Sequence, residues 1–331
     1  MNILFTLNDK FVPQVASSIC SICENNKETQ QINFYLISMG ISEVNKKKLH
    51  KFVEKYKRHL DIIELENLSK YLDFKFDTNA WNPIVLSRLL IDKLLPNHID
   101  KILYLDGDTI VRGSLESLYK DNMDNKVIGM SIEPTVIKKN KEKLGLSNSH
   151  YYNSGVLLIN FYKWRKEKIG DKIIAYYKKN DGNLFAPDQD AINGTLKNQI
   201  YPILPKYNFC NTFTQYPYKF LKKLELPAKY ISKEEFDESV KNPIIVHYLG
   251  EERPWRKGNT HKYRKDYKKY LNMTPWKDTE DEKGWEMYFI CWSIFNVVTK
   301  PFPKIRYNII TSLIPAFMKY RSKQIKKEKE S

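Results

Sequence analysis

Cysteine is scarce in this chain: four residues in 331, at Cys20, Cys23, Cys210 and Cys291. So few thiols in a chain this size argue for a reducing compartment rather than a disulfide framework. Cys20 and Cys23 form a C-x-x-C, but no second pair stands nearby to complete a zinc shell. Their segment reads as helical, so packing on a helix face accounts for them, with a redox pair as the alternative. Glycine is scarce as well, at 12. Neither the dinucleotide pattern G-x-G-x-x-G nor the P-loop pattern occurs, which argues against both kinds of nucleotide site. No apolar run approaches the ~20 residues that a membrane-spanning helix requires. The opening MNILFTLNDK lacks a charged leader followed by a long apolar stretch and reads as a first strand. There is no internal repeat, and no low-complexity linker before the C-terminal tail.

Positive charge, by contrast, is abundant. The formal net charge is +16, which points to a polyanionic partner. From Lys300 onward, nine Lys or Arg face two Glu, so much of the excess sits in a short tail. The tail is also rich in aromatic and apolar residues: Tyr288, Phe289, Trp292 and Phe295, then Phe302, Ile309, Leu313 and Phe317, interleaved with Lys300, Lys304 and Arg306. Such a mixture suits the interface of an anionic membrane, where each basic residue is worth about 1 kcal/mol. A packing helix followed by a disordered basic tail is the bland alternative. A nucleic-acid-binding protein is a competing reading of the charge. The concentration of charge in an aromatic tail and the lack of any nucleic-acid motif disfavour it, so no nucleic acid is expected as partner.

Strand and helix signals alternate along the first third of the chain. Strands are expected at 2–7, 32–37 and 60–65, and helices at 12–23, 42–56 and 83–95. Ser42 is the expected N-cap of the second helix, with Glu43 in its first turn. Ile84, Leu86, Leu90 and Leu94 mark the apolar face of the third. Further strands are expected at 102–105, 127–132, 154–159 and 244–248, and a short helix at 188–196. The alternation predicts an α/β fold, a largely parallel sheet with helices on both faces.

The run ILYLDGDTIV at 102–111 concentrates the chemistry. Four mostly apolar residues end in Asp106 and Asp108, separated by Gly107. On an extended chain these two side chains point the same way, so both carboxylates converge at the carboxyl end of a core strand. That is where ligands of open α/β sheets bind, and two such charges call for a cation between them. Taken alone, D-G-D is equally a strand-to-loop exit. His247 ends another expected strand. With the two aspartates it makes a two-carboxylate, one-imidazole set that suits Mn²⁺ better than Mg²⁺ or Ca²⁺. By itself it reads as a satisfied core or surface histidine. Asn153, ahead of the strand at 154–159, either binds a ligand or caps a turn. Asp188, Gln189 and Asp190 open a helix, so Asp188 either caps it or faces a ligand with Gln189. Arg253 offers a fork matched to phosphate oxygens, or sits in solvent.

Five segments, LYLDGDTIV, YYNSGVLLIN, PDQDAIN, PKYNF and HYLGEERPW, occur in an order and spacing that resemble glycosyltransferase family 8 over roughly residues 1–260. This family comprises retaining nucleotide-sugar transferases of GT-A fold, among them bacterial lipopolysaccharide galactosyl- and glucosyltransferases. The resemblance implies a GT-A catalytic domain at 1–275, followed by the membrane-associating segment at 276–331. It implies Asp106, Asp108 and His247 as ligands of Mn²⁺, with Mg²⁺ possible, bridging the diphosphate of a UDP-sugar. Asn8, Asp9 and Phe11 would line the nucleoside pocket, Phe11 stacking on uracil, and Arg88 would touch the donor. Gly107, between the metal ligands, counts among the substrate-binding positions, and Gly250 would let the backbone approach the diphosphate. Asn153, Asp188 and Gln189 would hold the transferred sugar, with Gln189 opposite the leaving group, and Glu133 would approach the acceptor. The family often has Asp at Asn8, Tyr at Phe11 and Lys at Arg253.

The implied reaction is hexose transfer from UDP-galactose or UDP-glucose to a cell-surface glycan or glycolipid. The implied location is cytoplasmic, peripheral at the inner face of a bacterial plasma membrane. Asp190 is a candidate nucleophile, although front-face attack is the expected route. A metal-dependent nucleotidyltransferase is the second enzymatic reading, disfavoured by the 247–253 block and the Asp188–Gln189 pair.

Overall fold

The computed structural model describes residues 1–79 and 81–330. Its centre is a seven-stranded sheet. In chain order the strands of the molecule are β1 (Asn2–Leu7), β2 (Asn33–Ser38), β3 (His59–Glu64), β4 (Lys101–Leu105), β5 (Thr109–Val111), β6 (Ile128–Ile132), β7 (Tyr152–Asn160), β8 (Ile200–Ile203) and β9 (Ile245–His247). The sheet runs β3-β2-β1-β4-β7-β6-β8, while β5 and β9 form a separate two-stranded sheet. The β3-β2-β1-β4 half is parallel throughout, as the alternating sequence predicts. β7 then enters antiparallel between β4 and β6, so the sheet is mixed though mainly parallel.

Burial explains why these segments are strands. All of β4 beyond Lys101 and all of β7 before Asn160 is buried, as expected for strands covered on both faces. The helix Val12–Asn25 packs against the sheet through Val15, Ala16 and Ile19, and takes Cys20 and Cys23 into the core. Burial pushes the Cys20 thiol up to about 11 and that of Cys23 up to about 12, so neither forms a thiolate readily, and the packing reading holds for both. Ser42 caps the helix Glu43–Lys55 by accepting the Asn45 backbone N–H, as its residue type predicts.

Two expectations need correction. The helix expected at 83–95 is a 3₁₀ segment, Pro83–Leu89, followed by the short α-helix Ile91–Leu94. Its apolar spacing was legible, but the tighter coil serves to turn Arg88 inward, where it is buried. Asn153, expected ahead of its strand, lies inside it, because β7 begins at Tyr152.

The tail forms two helices, Glu286–Thr299 and Pro303–Glu330. Arg306, expected among the exposed basic residues, is instead 1 % exposed. It donates to Thr299 Oγ1 at 2.9 Å and Asn296 Oδ1 at 2.6 Å and lies over the rings of Trp292 and Phe295, clamping the turn between the helices.

Leu103 lies fully buried in β4, between β1 and β7. Truncation to Ala is expected to lower unfolding stability by about 2–5 kcal/mol, read from the urea midpoint at constant m-value.

Candidate active site

β4 delivers Asp106 at its carboxyl end, where the Asp106 backbone N–H donates to the Gly155 carbonyl of β7 at 2.8 Å. The chain then turns through Gly107 into β5, which pairs with β9 so that Thr109 lies opposite His247. The pairing brings one ligand atom each of Asp106, Asp108 and His247 within 4.8 Å of one another. His247 Nε2 lies 3.2 Å from Asp108 Oδ1 and 3.8 Å from Asp106 Oδ2.

Each group is held by a partner outside the cluster. Asp106 Oδ1 accepts from Arg88 Nη2 at 2.8 Å and from the Tyr104 hydroxyl at 2.6 Å, leaving Oδ2 for the cluster. His247 is oriented by a relay whose direction can be derived. The backbone N–H of Gly155 donates to Asn153 Oδ1 at 2.9 Å, which fixes that amide, and Asn153 Nδ2 donates to Glu133 at 2.9 Å. Asn208 Nδ2 donates to the same Asn153 oxygen at 2.8 Å, so Asn208 presents its own oxygen to His247 Nδ1, also at 2.8 Å. His247 must therefore carry its proton on Nδ1, and the lone pair of Nε2 faces the two aspartates. This is the tautomer that a metal needs, with an outer partner of the kind metal-binding histidines use. Two carboxylates and one imidazole at this spacing fit a divalent ion.

The electrostatics agree. Burial would raise the Asp108 carboxyl, but His247 and Arg253 outweigh it and hold it below the usual range. Burial would lower the His247 imidazole, yet Asp108, Asp106 and Glu133 raise it. The arrangement attracts positive charge, whether a proton or a metal. Gly155 makes room for it: a Cβ there would lie 2.2 Å from His247 Cε1.

The adjoining cleft, of about 350 Å³, opens beside this cluster. The helix Pro187–Leu196 presents Asp188 and Gln189 to the same cleft. Asp188 does not cap that helix. Its carboxylate accepts from the Ser154 hydroxyl at 2.9 Å and pairs with Arg88 at 3.1 Å. Gln189 is fixed at both ends, its oxygen accepting the Ser154 N–H at 2.9 Å and its nitrogen donating to Glu133 and to the Tyr151 hydroxyl. Burial pushes the Asp190 carboxyl up to about 6, and both its oxygens are taken, one by the Tyr151 hydroxyl and one by the Ala186 N–H. Burial also raises Glu133 and Asp188.

Arg253 lies beside the Asp106–Asp108–His247 cluster, 4.0 Å from Asp108 Oδ2. Gly250 has φ +78°, a left-handed conformation that favours glycine, and nothing lies within 4 Å of where a Cβ would stand. Phe11 packs edge-on to Trp255 and against Gly107, where a Cβ would meet its ring at 2.9 Å. Asn8 Oδ1 is buried without a hydrogen-bond partner. Asp9 is turned elsewhere, one oxygen accepting from Ser42 and Asn45 at the start of the Glu43–Lys55 helix. The sequence reading missed Tyr104, Tyr151, Ser154 and Asn208, all of which bond the named residues; Tyr151 and Ser154 also line the cleft. Asn208 stood in PKYNF, and that segment was its one available signal.

The family model described as Glycosyl transferase family 8 matches residues 2–259. General stress protein A of Bacillus subtilis is 25 % identical over 279 residues, 83 % of this chain and 94 % of that protein. A lipopolysaccharide 1,2-glucosyltransferase of Escherichia coli K12 is 28 % identical over 285 residues, 84 % of this chain and 79 % of its own. Among solved structures, the galactosyltransferase LgtC in complex with donor and acceptor sugar analogs superposes with a TM-score of 0.71 at 24 % identity, covering 83 % of this chain and 96 % of that one. The fold is GT-A.

Replacing Asn208 by Ala removes the acceptor for His247 Nδ1–H. Titration calorimetry with Mn²⁺ is expected to show affinity weakened about 10- to 100-fold, the usual cost of losing an outer partner of a metal-binding histidine.

Proposed function

The chain belongs to glycosyl transferase family 8, and from that premise we propose that it is a metal-dependent retaining hexosyltransferase. In this reading it moves galactose or glucose from a UDP-sugar to a cell-surface glycan, such as a lipopolysaccharide core or surface polysaccharide. The observation that carries the reading is the Asp106–Asp108–His247 cluster in a cleft that Arg253, Asp188 and Gln189 also line. Names among the relatives and the similar structure, a lipopolysaccharide glucosyltransferase and a galactosyltransferase, support the substrate class without choosing the hexose.

Asp106, Asp108 and His247 would hold Mn²⁺, favoured over Mg²⁺ by the imidazole, and the ion would supply Lewis-acid neutralisation of the leaving diphosphate. Arg253 adds a charge-assisted hydrogen bond to the same phosphate oxygens, a preorganised stabilisation of the negative charge that develops there. Phe11 would stack on the base, with Asn8 Oδ1 as an acceptor in reach of it. Asp188, Asn153 and Gln189 would bind the sugar, the carboxylate favouring the oxocarbenium character of the anomeric carbon. In front-face attack the acceptor oxygen bonds to that carbon as its bond to the β-phosphate oxygen breaks, and the acceptor's proton passes to the departing phosphate. The full hydrogen bonding of Asp190 and the amide character of Gln189 favour this over a covalent sugar–enzyme intermediate.

The tail supports a peripheral membrane reading. Met287, Ile294, Val297, Phe302 and Ile305 are each more than half exposed, beside Lys300 and Lys304. No described helix is long and apolar enough to cross a membrane. We place the protein at the inner face of the plasma membrane, a reading that this tail and the scarcity of cysteine support.

UDP release from a panel of UDP-sugars is expected with Mn²⁺ for UDP-galactose or UDP-glucose, and is expected to stop on chelation; no release from any donor would sink the reading. Asp190→Asn is expected to keep near-normal turnover, whereas a trapped glycosyl-Asp190 adduct would overturn front-face attack. Vesicles of phosphatidylglycerol are expected to co-sediment the protein at physiological salt and duplex DNA to leave it free; the reverse outcome would defeat the membrane reading.

A further inference from the structure

The helix Pro303–Glu330 lies wholly beyond the residues matched by the family model, yet it forms a wall of the cleft. Ile314, Phe317, Met318 and Arg321 all line it. Their spacing, i, i+3, i+4 and i+7, is that of one helix face. Three apolar residues end in a guanidinium at the side of the cleft that holds Asp108, Arg253 and Glu251.

Arg321 is three-quarters covered there, its side chain 24 % exposed. Its Nη1 lies 3.3 Å from Glu251 Oε1, and its guanidinium lies over the Trp81 ring at 5.4 Å. Glu251 has a second arginine partner. Its other oxygen is already paired with Arg256, which also pairs with Glu282 at 3.1 Å and stacks on Trp285. Three arginines, 253, 256 and 321, thus surround the single carboxylate of Glu251, and Arg253 and Arg321 both face the open cleft. Burial and the charges of Arg253 and Arg256 press the Arg321 guanidinium below its ordinary value. An anion placed between Arg253 and Arg321 relieves that repulsion.

We propose that Arg321 is a second cationic ligand of the donor's diphosphate, carried to the site by the C-terminal helix. The inference rests on the nucleotide-sugar reading above. The diphosphate is the anion that the cleft is built to take next to a metal cluster, and a guanidinium offers its oxygens a fork that a lone lysine does not. The helix is anchored at its base by Arg306, so its far half reaches across the cleft from a fixed turn. The same helix therefore closes the donor end of the site, with Phe317 and Met318 covering the bound nucleotide sugar from solvent.

The test uses the full chain and two probes, UDP and uridine, each titrated calorimetrically with Mn²⁺ present. Arg321→Gln is expected to weaken UDP binding about tenfold, the ordinary worth of a hydrogen bond to a charged group. Uridine, which has no phosphate, is expected to bind as to wild type, and Arg321→Lys to recover part of the loss. An unchanged melting temperature shows that the variants are folded. UDP affinity equal to wild type in Arg321→Gln would overturn the proposal, and so would equal losses for UDP and uridine, which mark a merely structural role. Wild-type protein that binds no UDP would overturn the nucleotide-sugar reading itself, and this inference with it.

Discussion

Two carboxylates held within reach of each other at the end of a buried strand are unstable company, and the rest of the site is organised around that conflict. One solution visible in the structure is to bind each of them outward. Arg88 and Tyr104 take one oxygen of Asp106, and His247 and Arg253 lie against Asp108. The other solution is to leave a place for positive charge. The chain from Glu133 through Asn153 and Asn208 to His247 does this by dictating where the imidazole keeps its proton.

Arg88 joins the two halves of the cleft. It bonds both Asp106 of the acidic cluster and Asp188 of the helix Pro187–Leu196, and its Nη1 also donates to the Ser154 carbonyl in β7. A buried cation shared by two carboxylates holds both in place without consuming the oxygens that face the ligand. Asn153 and Glu133 do similar double service, since the amide that steers His247 also bonds the carboxylate that receives Gln189. The Asp106–Asp108–His247 cluster and the Asp188–Gln189 pair are thus parts of one connected network, and perturbation at one end is felt at the other.

How much of this the sequence carried depended on whether the signal was local. The β-α-β order of the first half was legible because each strand and helix announces itself by its own periodicity, and Ser42 by its cap. D-G-D marked its own strand end. The antiparallel entry of β7 was not legible, since nothing within 152–160 states which neighbour it will pair with. The 3₁₀ winding of Pro83–Leu89 was hidden for a related reason: its apolar spacing fits a helix of either pitch, and the buried partners that Arg88 reaches lie far along the chain. Tyr104 and Asn208 escaped because their work is done on other side chains rather than on a ligand. Arg306 looked like one more basic residue in a basic tail, and only packing among Trp292, Phe295 and Thr299 reveals it as a clamp.

The pairing of β5 with β9 sets a condition on assembly. Asp108 and His247 meet only because a strand from late in the domain comes back to lie beside one laid down much earlier. Loop closure over so long an interval is costly until most of the intervening chain has packed. All seven strands of the central sheet, the last of them β8, precede β9 in the chain, so a growing polypeptide has that whole sheet before it has His247. The Asp106–Asp108–His247 cluster therefore closes only after the central sheet has been laid down.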